Sequence, residues 1–166
     1  MGVDTQMHIG PYLVIDNKKS ETSWTVENAC PRKSCKEYGD RTEAKFCPNC
    51  GSKNSSVNMT ELEDLDAINI LDENNLTDYL WEASRCGDQI IKGKTVLTSN
   101  FTNPNLDKSR KDFSLDEGGI IDFDNIDIEG EMVWFRNKHK KAIECLEKHF
   151  DKKTFQFKYG IVVSFS

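Results

Sequence analysis

With 166 residues, 37% of them hydrophobic, and a formal net charge of −6, the chain is sized for one domain with a small appended module. Its acidic balance argues against a general affinity for nucleic-acid backbone, which needs a basic footprint. No apolar run approaches the ~20 residues of a membrane span, so no membrane partner is expected.

The N-terminus, MGVDTQMHIG, lacks the basic-then-apolar pattern of a secretory signal. A cytoplasmic, intracellular protein is therefore expected. Met7 stands as an alternative start, which would make the first six residues a leader. Residues 12–16 (YLVID) read as a strand, apolar and β-branched between turn residues. Residues 24–27 read as its partner, with 17–20 as the turn between them.

Four of the six cysteines then fall within 21 residues: Cys30, Cys35, Cys47 and Cys50, spaced C-x4-C, an 11-residue gap, C-x2-C. A two-residue gap lets both thiolates of one pair face one ion across a tight turn, and Gly51 permits positive φ just beyond it. Pro31 and Pro48 stiffen the two turns. The alternative is two disulfides or buried thiols, which a reducing compartment disfavours for disulfides. Cys47-Pro48-Asn49-Cys50-Gly51 resembles the C-P-x-C-G knuckle of the zinc-ribbon family; the resemblance covers about residues 24–55. The first half, Cys30 to Cys35, is two residues longer and lacks a following glycine. The resemblance implies a fold element and a metal, and says nothing of an activity. Four cysteines with no spare histidine or carboxylate and no open position read as one structural zinc site rather than a catalytic one.

Residues 51–58 read as a polar connector. Thr60 to Glu63 matches a capping box ahead of Leu62, Leu65, Ile68 and Leu71, which predicts a helix. Residues 77–86 predict a second helix ending at Gly87. Residues 90–91 and 95–98 read as a hairpin or two short strands around Gly93, and 99–118 as a long polar loop. Residues 120–128 (IIDFDNIDI) read as a strand with a bulge. Residues 136–150 form the clearest helix, with His139, Ala142, Ile143, Leu146 and Phe150 on one face; His139 there reads as a core residue. Residues 155–165 form a final strand buried on both faces around Ile161-Val162-Val163. The fold class is α+β: a small mixed sheet with about three helices and an N-terminal zinc-ribbon-like element. Residues 1–56 hold the first strands and that element, and 57–166 the α+β portion, as separate units or as one continuous domain.

Other chemistry-bearing groups are few. Asp122 and Asp124 would share a face of an extended chain, near Asp127 and Glu129, and converging carboxylates hold Mg²⁺ or Mn²⁺; the plainer reading is a solvated strand face. Cys145 and His149 would share a helix face, and Cys86 precedes Gly87; both cysteines read more simply as buried apolar residues. No phosphate loop, H-E-x-x-H or G-x-S-x-G motif occurs.

Residues 1–60 carry 8 basic and 7 acidic side chains, residues 61–129 carry 6 and 17, and residues 130–166 carry 8 and 4. This asymmetry points to a partner surface or to solvated faces. The composition, rich in Asn, Asp, Ile and Lys beside one knuckle, resembles small viral or phage accessory proteins. The leading expectation is thus a non-enzymatic interaction protein that binds a cellular protein and modulates it. Arg32, Lys33, Lys36, Arg41 and Lys45 would be exposed on the ribbon. The alternatives are a nucleic-acid binder using these residues with Phe46 or Trp24, an acidic DNA mimic, and a metal-dependent hydrolase using Asp122 and Asp124.

Overall fold

The computed structural model describes residues 4–76, 80–101, 103 and 120–165. Their order is β1 (Thr5–Asp16), β2 (Lys19–Ala29), β3 (Ser55–Asp64), α1 (Ala67–Glu73), β4 (Leu80–Glu82), β5 (Ser84–Arg85), β6 (Asp88–Gln89), β7 (Lys94–Ser99), α2 (Ile128–Lys138), α3 (Lys140–Leu146) and β8 (Gln156–Phe165). The fold is α+β, with a six-stranded mixed sheet, a separate two-stranded sheet and three α-helices among the described residues. The chain divides into two compact units: Met1–Lys18 with Asp66–Ser166, and Lys19–Leu65. Residue 56, where the sequence reading divides the chain, lies inside β3. Among the described residues no helix is long and apolar enough to cross a membrane.

In the first unit the strand order is β4-β7-β1-β8-β5-β6. β1 is the axis, antiparallel to β7 through Leu13↔Leu97 and to β8 through Leu13↔Phe157. Side chains alternate across a strand, so Leu13, Leu97 and Phe157 share one face. α2 packs there, its Phe135 ring 6.3 Å from that of Phe157. On the other face Val14, Val96, Val162 and Ala83 form a small cluster with Tyr12 and Trp81 against it. β1 is therefore covered on both sides, which explains its unbroken apolar run.

Several sequence expectations are corrected. The partner of residues 24–27 is β3, not β1, which pairs with the far C-terminus instead. The capping-box stretch at Thr60 is strand, because Thr60 pairs with Ser23 on β2; α1 starts later, with Asp66 accepting from the N–H groups of Ile68 and Asn69. Of the expected helix at 77–86, residues 77–79 lie outside the described residues. The remainder is β4 and a β5–β6 hairpin whose two-residue turn, Cys86-Gly87, has positive φ at both positions, the geometry that matches strand twist. Of the expected loop at 99–118, only 99–101 and 103 are described. Residues 120–128 are not a strand: Asp122 caps a 3-10 turn and Asp127 caps α2. In β8 only Val162 of the Ile-Val-Val run is buried; Ile161 and Val163 are exposed, although the strand does lie inside the sheet.

The predicted apolar face from His139 to Phe150 is buried as expected, but the helix begins earlier and is interrupted. His139, at φ −104° and ψ 16°, separates α2 from α3. Its Nε2 lies 2.7 Å from Ser99 Oγ on β7, and Phe135 packs 4.9 Å from its ring. The side chain reaches from the helix break to the sheet.

Burial, and then the charges of Lys138 and His8, lower the His139 pKa to about 4. The folded chain thus keeps this imidazole neutral where the unfolded chain would protonate it. Stability from this source is present above about pH 6.5 and lost as the pH falls toward 4, by roughly up to 1.4 kcal/mol per unit. Urea titrations across this range should show that His139→Gln flattens the decline; parallel slopes in both proteins would refute it.

Candidate metal centre

The second unit is a long antiparallel ribbon of β2 and β3, running from Lys19↔Asp64 to Ala29↔Ser55, with the cysteine-bearing residues 30–54 at one end. A bulge after Val26 places Asn28 at φ 53°. From there its side-chain amide donates to the carbonyls of Thr42 and Ala44, while its own carbonyl accepts from Thr42 N–H at 3.2 Å. Asn54, across on the returning chain, donates to Ala44 O at 2.9 Å. These two asparagines hold the connection between the two knuckles.

The knuckles are built alike despite their different spacing. In the second, Gly51 at φ 72° donates its N–H to Cys47 O at 2.8 Å. In the first, Gly39 at φ 78° donates its N–H to Cys30 O at 3.0 Å. The glycine missing directly after Cys35 is supplied four residues later, and only glycine adopts this backbone at little cost. Gly39 also lies against Met59 of β3: a Cβ there would overlap the Met59 sulfur. Cysteine spacing alone does not point to Gly39; its signal in the sequence is a lone glycine in the stretch Glu37-Tyr38-Gly39-Asp40.

All four sulfurs of Cys30, Cys35, Cys47 and Cys50 lie within 4.8 Å of one another. Cys30 and Cys50 are 3.5 Å apart and Cys35 and Cys47 are 3.8 Å apart. Disulfide sulfurs would be ~2.05 Å apart, so all four are free thiols. An ion held at ~2.3 Å by four sulfurs requires tetrahedron edges of about 3.8 Å, and the observed separations fit it. Cys30, Cys35 and Cys47 are buried and Cys50 half-buried. The cluster can hold a metal ion.

Polar neighbours surround the sulfurs. Asn49 Nδ2 donates to Cys35 Sγ at 3.1 Å, as does Glu37 N–H at 3.4 Å. Cys50 Sγ is 3.3 Å from Ser52 Oγ, and Cys47 Sγ is 3.4 Å from Glu37 Oε2. Burial pushes the Cys47 thiol up to about 12 and raises that of Cys30. Cys50 is lowered to about 6, first by the Ser52 hydroxyl and then by the Ser52 N–H.

The remaining candidates do not assemble. Among the described residues the four cysteines are the one group of three or more His, Cys, Asp or Glu side chains close enough to hold a metal ion. Asp122 and Asp124 do not share a strand face: Asp122 Oδ1 accepts from Asp124 N–H at 3.0 Å, and Asp127 Oδ1 accepts from Gly130 N–H at 2.9 Å. α3 ends at Leu146, so the four-residue helical spacing does not carry from buried Cys145 to exposed His149. Cys86 is an exposed hairpin-turn residue. Arg32, Lys33, Lys36, Arg41 and Lys45 are all exposed, as expected.

No protein-family model, no curated protein and no solved structure matches the chain.

Two outcomes follow from this geometry. At pH 7 Cys30 and Cys47 carry protons that a bound ion must displace, so binding should release at least two. Apparent affinity should then rise about hundredfold or more per pH unit. Calorimetry in buffers of differing ionisation enthalpy measures the proton count, and one proton or none would refute it. Separately, Gly39→Ala and Gly51→Ala each cost about 1–2 kcal/mol for positive φ, but nothing lies within 4 Å of a Cβ at Gly51. Denaturant titration should find Gly39→Ala the more destabilising; equal costs would show that the Met59 contact is immaterial.

Proposed function

We propose that the cysteine cluster holds one zinc ion in a zinc-ribbon-like element, and that the chain is a non-enzymatic binding protein whose ribbon contacts a cellular protein in the cytoplasm. The donor set supports zinc: four soft thiolates in tetrahedral array suit zinc or an iron centre, and four protein ligands leave no open position for substrate. One observation carries the binding role. The Lys19–Leu65 unit buries Cys30, Cys35 and Cys47 and, of its other apolar residues, Ala29 and Val57, and leaves Trp24, Phe46 and Leu62 exposed. A unit that turns its large apolar side chains outward around a rigid centre is suited to contact rather than to chemistry.

A second reading has its own support. Phe46 is 52% exposed with Lys45 Nζ 6.0 Å from its ring centre, and Arg32, Lys33, Lys36, Arg41 and Lys53 are exposed on the same loops. An exposed ring among cations is a platform for an unpaired base.

Elemental analysis of the purified chain should find one zinc and no iron. Co-purification with mass spectrometry should then return a partner that a Cys47→Ser/Cys50→Ser variant loses. Zinc-free protein overturns the metal assignment, and recovery of background alone overturns the protein-binding role. Fluorescence anisotropy with single-stranded oligonucleotides decides the second reading, which requires binding that Phe46→Ala weakens by about 1–3 kcal/mol.

A further inference from the structure

The two knuckles touch each other's sulfurs reciprocally, and the two contacts are opposite in sign. From the second knuckle, the Asn49 amide donates to Cys35 Sγ at 3.1 Å. From the first, the Glu37 carboxylate lies 3.4 Å from Cys47 Sγ. While Cys47 is a thiol, its S–H can donate to that carboxylate. A cysteine bound to an ion is a thiolate and has no proton to give. Glu37 then sets a negative oxygen against a negative sulfur, at a half-buried position where water screens the pair only in part. Asn49 does the reverse, placing a donor on a sulfur that gains charge. The Glu37 backbone is itself anchored at the cluster, since its N–H donates to Cys35 Sγ at 3.4 Å.

We propose that Glu37 limits the hold of the cluster on its ion, so that the ribbon loads and unloads metal instead of keeping it permanently. This rests on the zinc assignment above. The residue acts through Cys47 and need not touch the ion. Polar groups around a metal's ligands change affinity by about 10- to 100-fold. A carboxylate opposed to a ligand sulfur lowers it, and removing that charge restores it. The ribbon's order would then follow the supply of free metal, because its interior is built around the four sulfurs.

The test uses the full chain loaded with one equivalent of Zn²⁺ and competed against a chromophoric chelator, reading both apparent Kd and the rate of transfer. Glu37→Gln keeps the size and removes the charge; Glu37→Ala removes the charge without adding an amide that could donate to Cys47. Both variants should bind Zn²⁺ about tenfold more tightly than the native chain and give it up more slowly. Unchanged or weaker binding in both overturns the proposal while leaving the zinc assignment intact. A native chain that takes up no Zn²⁺ overturns the zinc assignment first and this proposal with it.

Discussion

A two-stranded ribbon has no second layer on which to bury an apolar face, and isolated pairs of strands are marginal in water. β2 and β3 form such a pair, and most of their side chains are exposed. What closes the unit is the approach of four sulfurs at its end. Cys30 leaves β2 directly, while Cys47 and Cys50 sit on a knuckle flanked by the Phe46↔Lys53 bridge, from which the chain returns to β3. Bringing them together therefore fixes the ends of both strands and the connection between them. Small folded units commonly replace a missing core with a metal or disulfides, and here the thiols are unpaired with one another. The polar groups around them follow from that arrangement: Asn28, Asn54, Gly39 and Gly51 serve the backbone path that lets the sulfurs meet.

The other unit solves the same problem by ordinary means. β1 carries Ile9, Leu13, Val14 and Ile15 into a sheet covered on both faces. α2 brings Phe135 to one of those faces, against Phe157, and α3 buries Ile143 and Leu146 beside α1 and α2. At His139 the backbone leaves helical dihedrals, while its N–H still donates to Phe135 O and its C=O accepts from Ile143 N–H. Its imidazole lies at hydrogen-bond distance from Ser99 on β7, and burial holds it neutral at neutral pH. This contact ties the junction of the two helices to the end of β7, where Ser99 Oγ also accepts from Phe101 N–H.

What was legible in the sequence was what depends on near neighbours. The cysteine spacings bring the thiols of each pair together within one turn of chain, and the four sulfurs do meet; the apolar positions from 139 to 150 are buried, although the helix breaks at His139 and ends at Leu146. The failures share a cause in distant partners. Thr60-Glu61-Leu62-Glu63 satisfies a local rule for helix starts, yet Thr60 pairs with Ser23 and the strand prevails. Local sequence pairs β1 with the nearest strand, but its partners are β7 and, at the other end of the chain, β8. The run IIDFDNIDI alternates like a strand, yet Asp122 and Asp127 are caps and Asp124 lies inside the 3-10 turn that Asp122 starts. The acidic spacing that suggested a metal site is thus better explained by helix starts, since short acidic side chains satisfy the first N–H groups.

The cysteine cluster also shows why ligand spacing alone says little about how a site behaves. C-x4-C and C-x2-C specify that four thiols can meet; they carry no information about Asn49, Ser52 and Glu37, which reach sulfurs up to fourteen positions away in sequence. Two of these contacts can donate to sulfur and one opposes a negative charge to it. Four thiolates would carry more charge than a divalent ion offsets, so each neighbouring donor or carboxylate would shift the balance between holding such an ion and losing it. The ligands decide that a metal can bind, and the residues that touch the ligands decide how firmly. In this chain those residues lie on the two knuckles themselves, so the turn that positions each pair of cysteines also sets the electrostatics of the opposite pair.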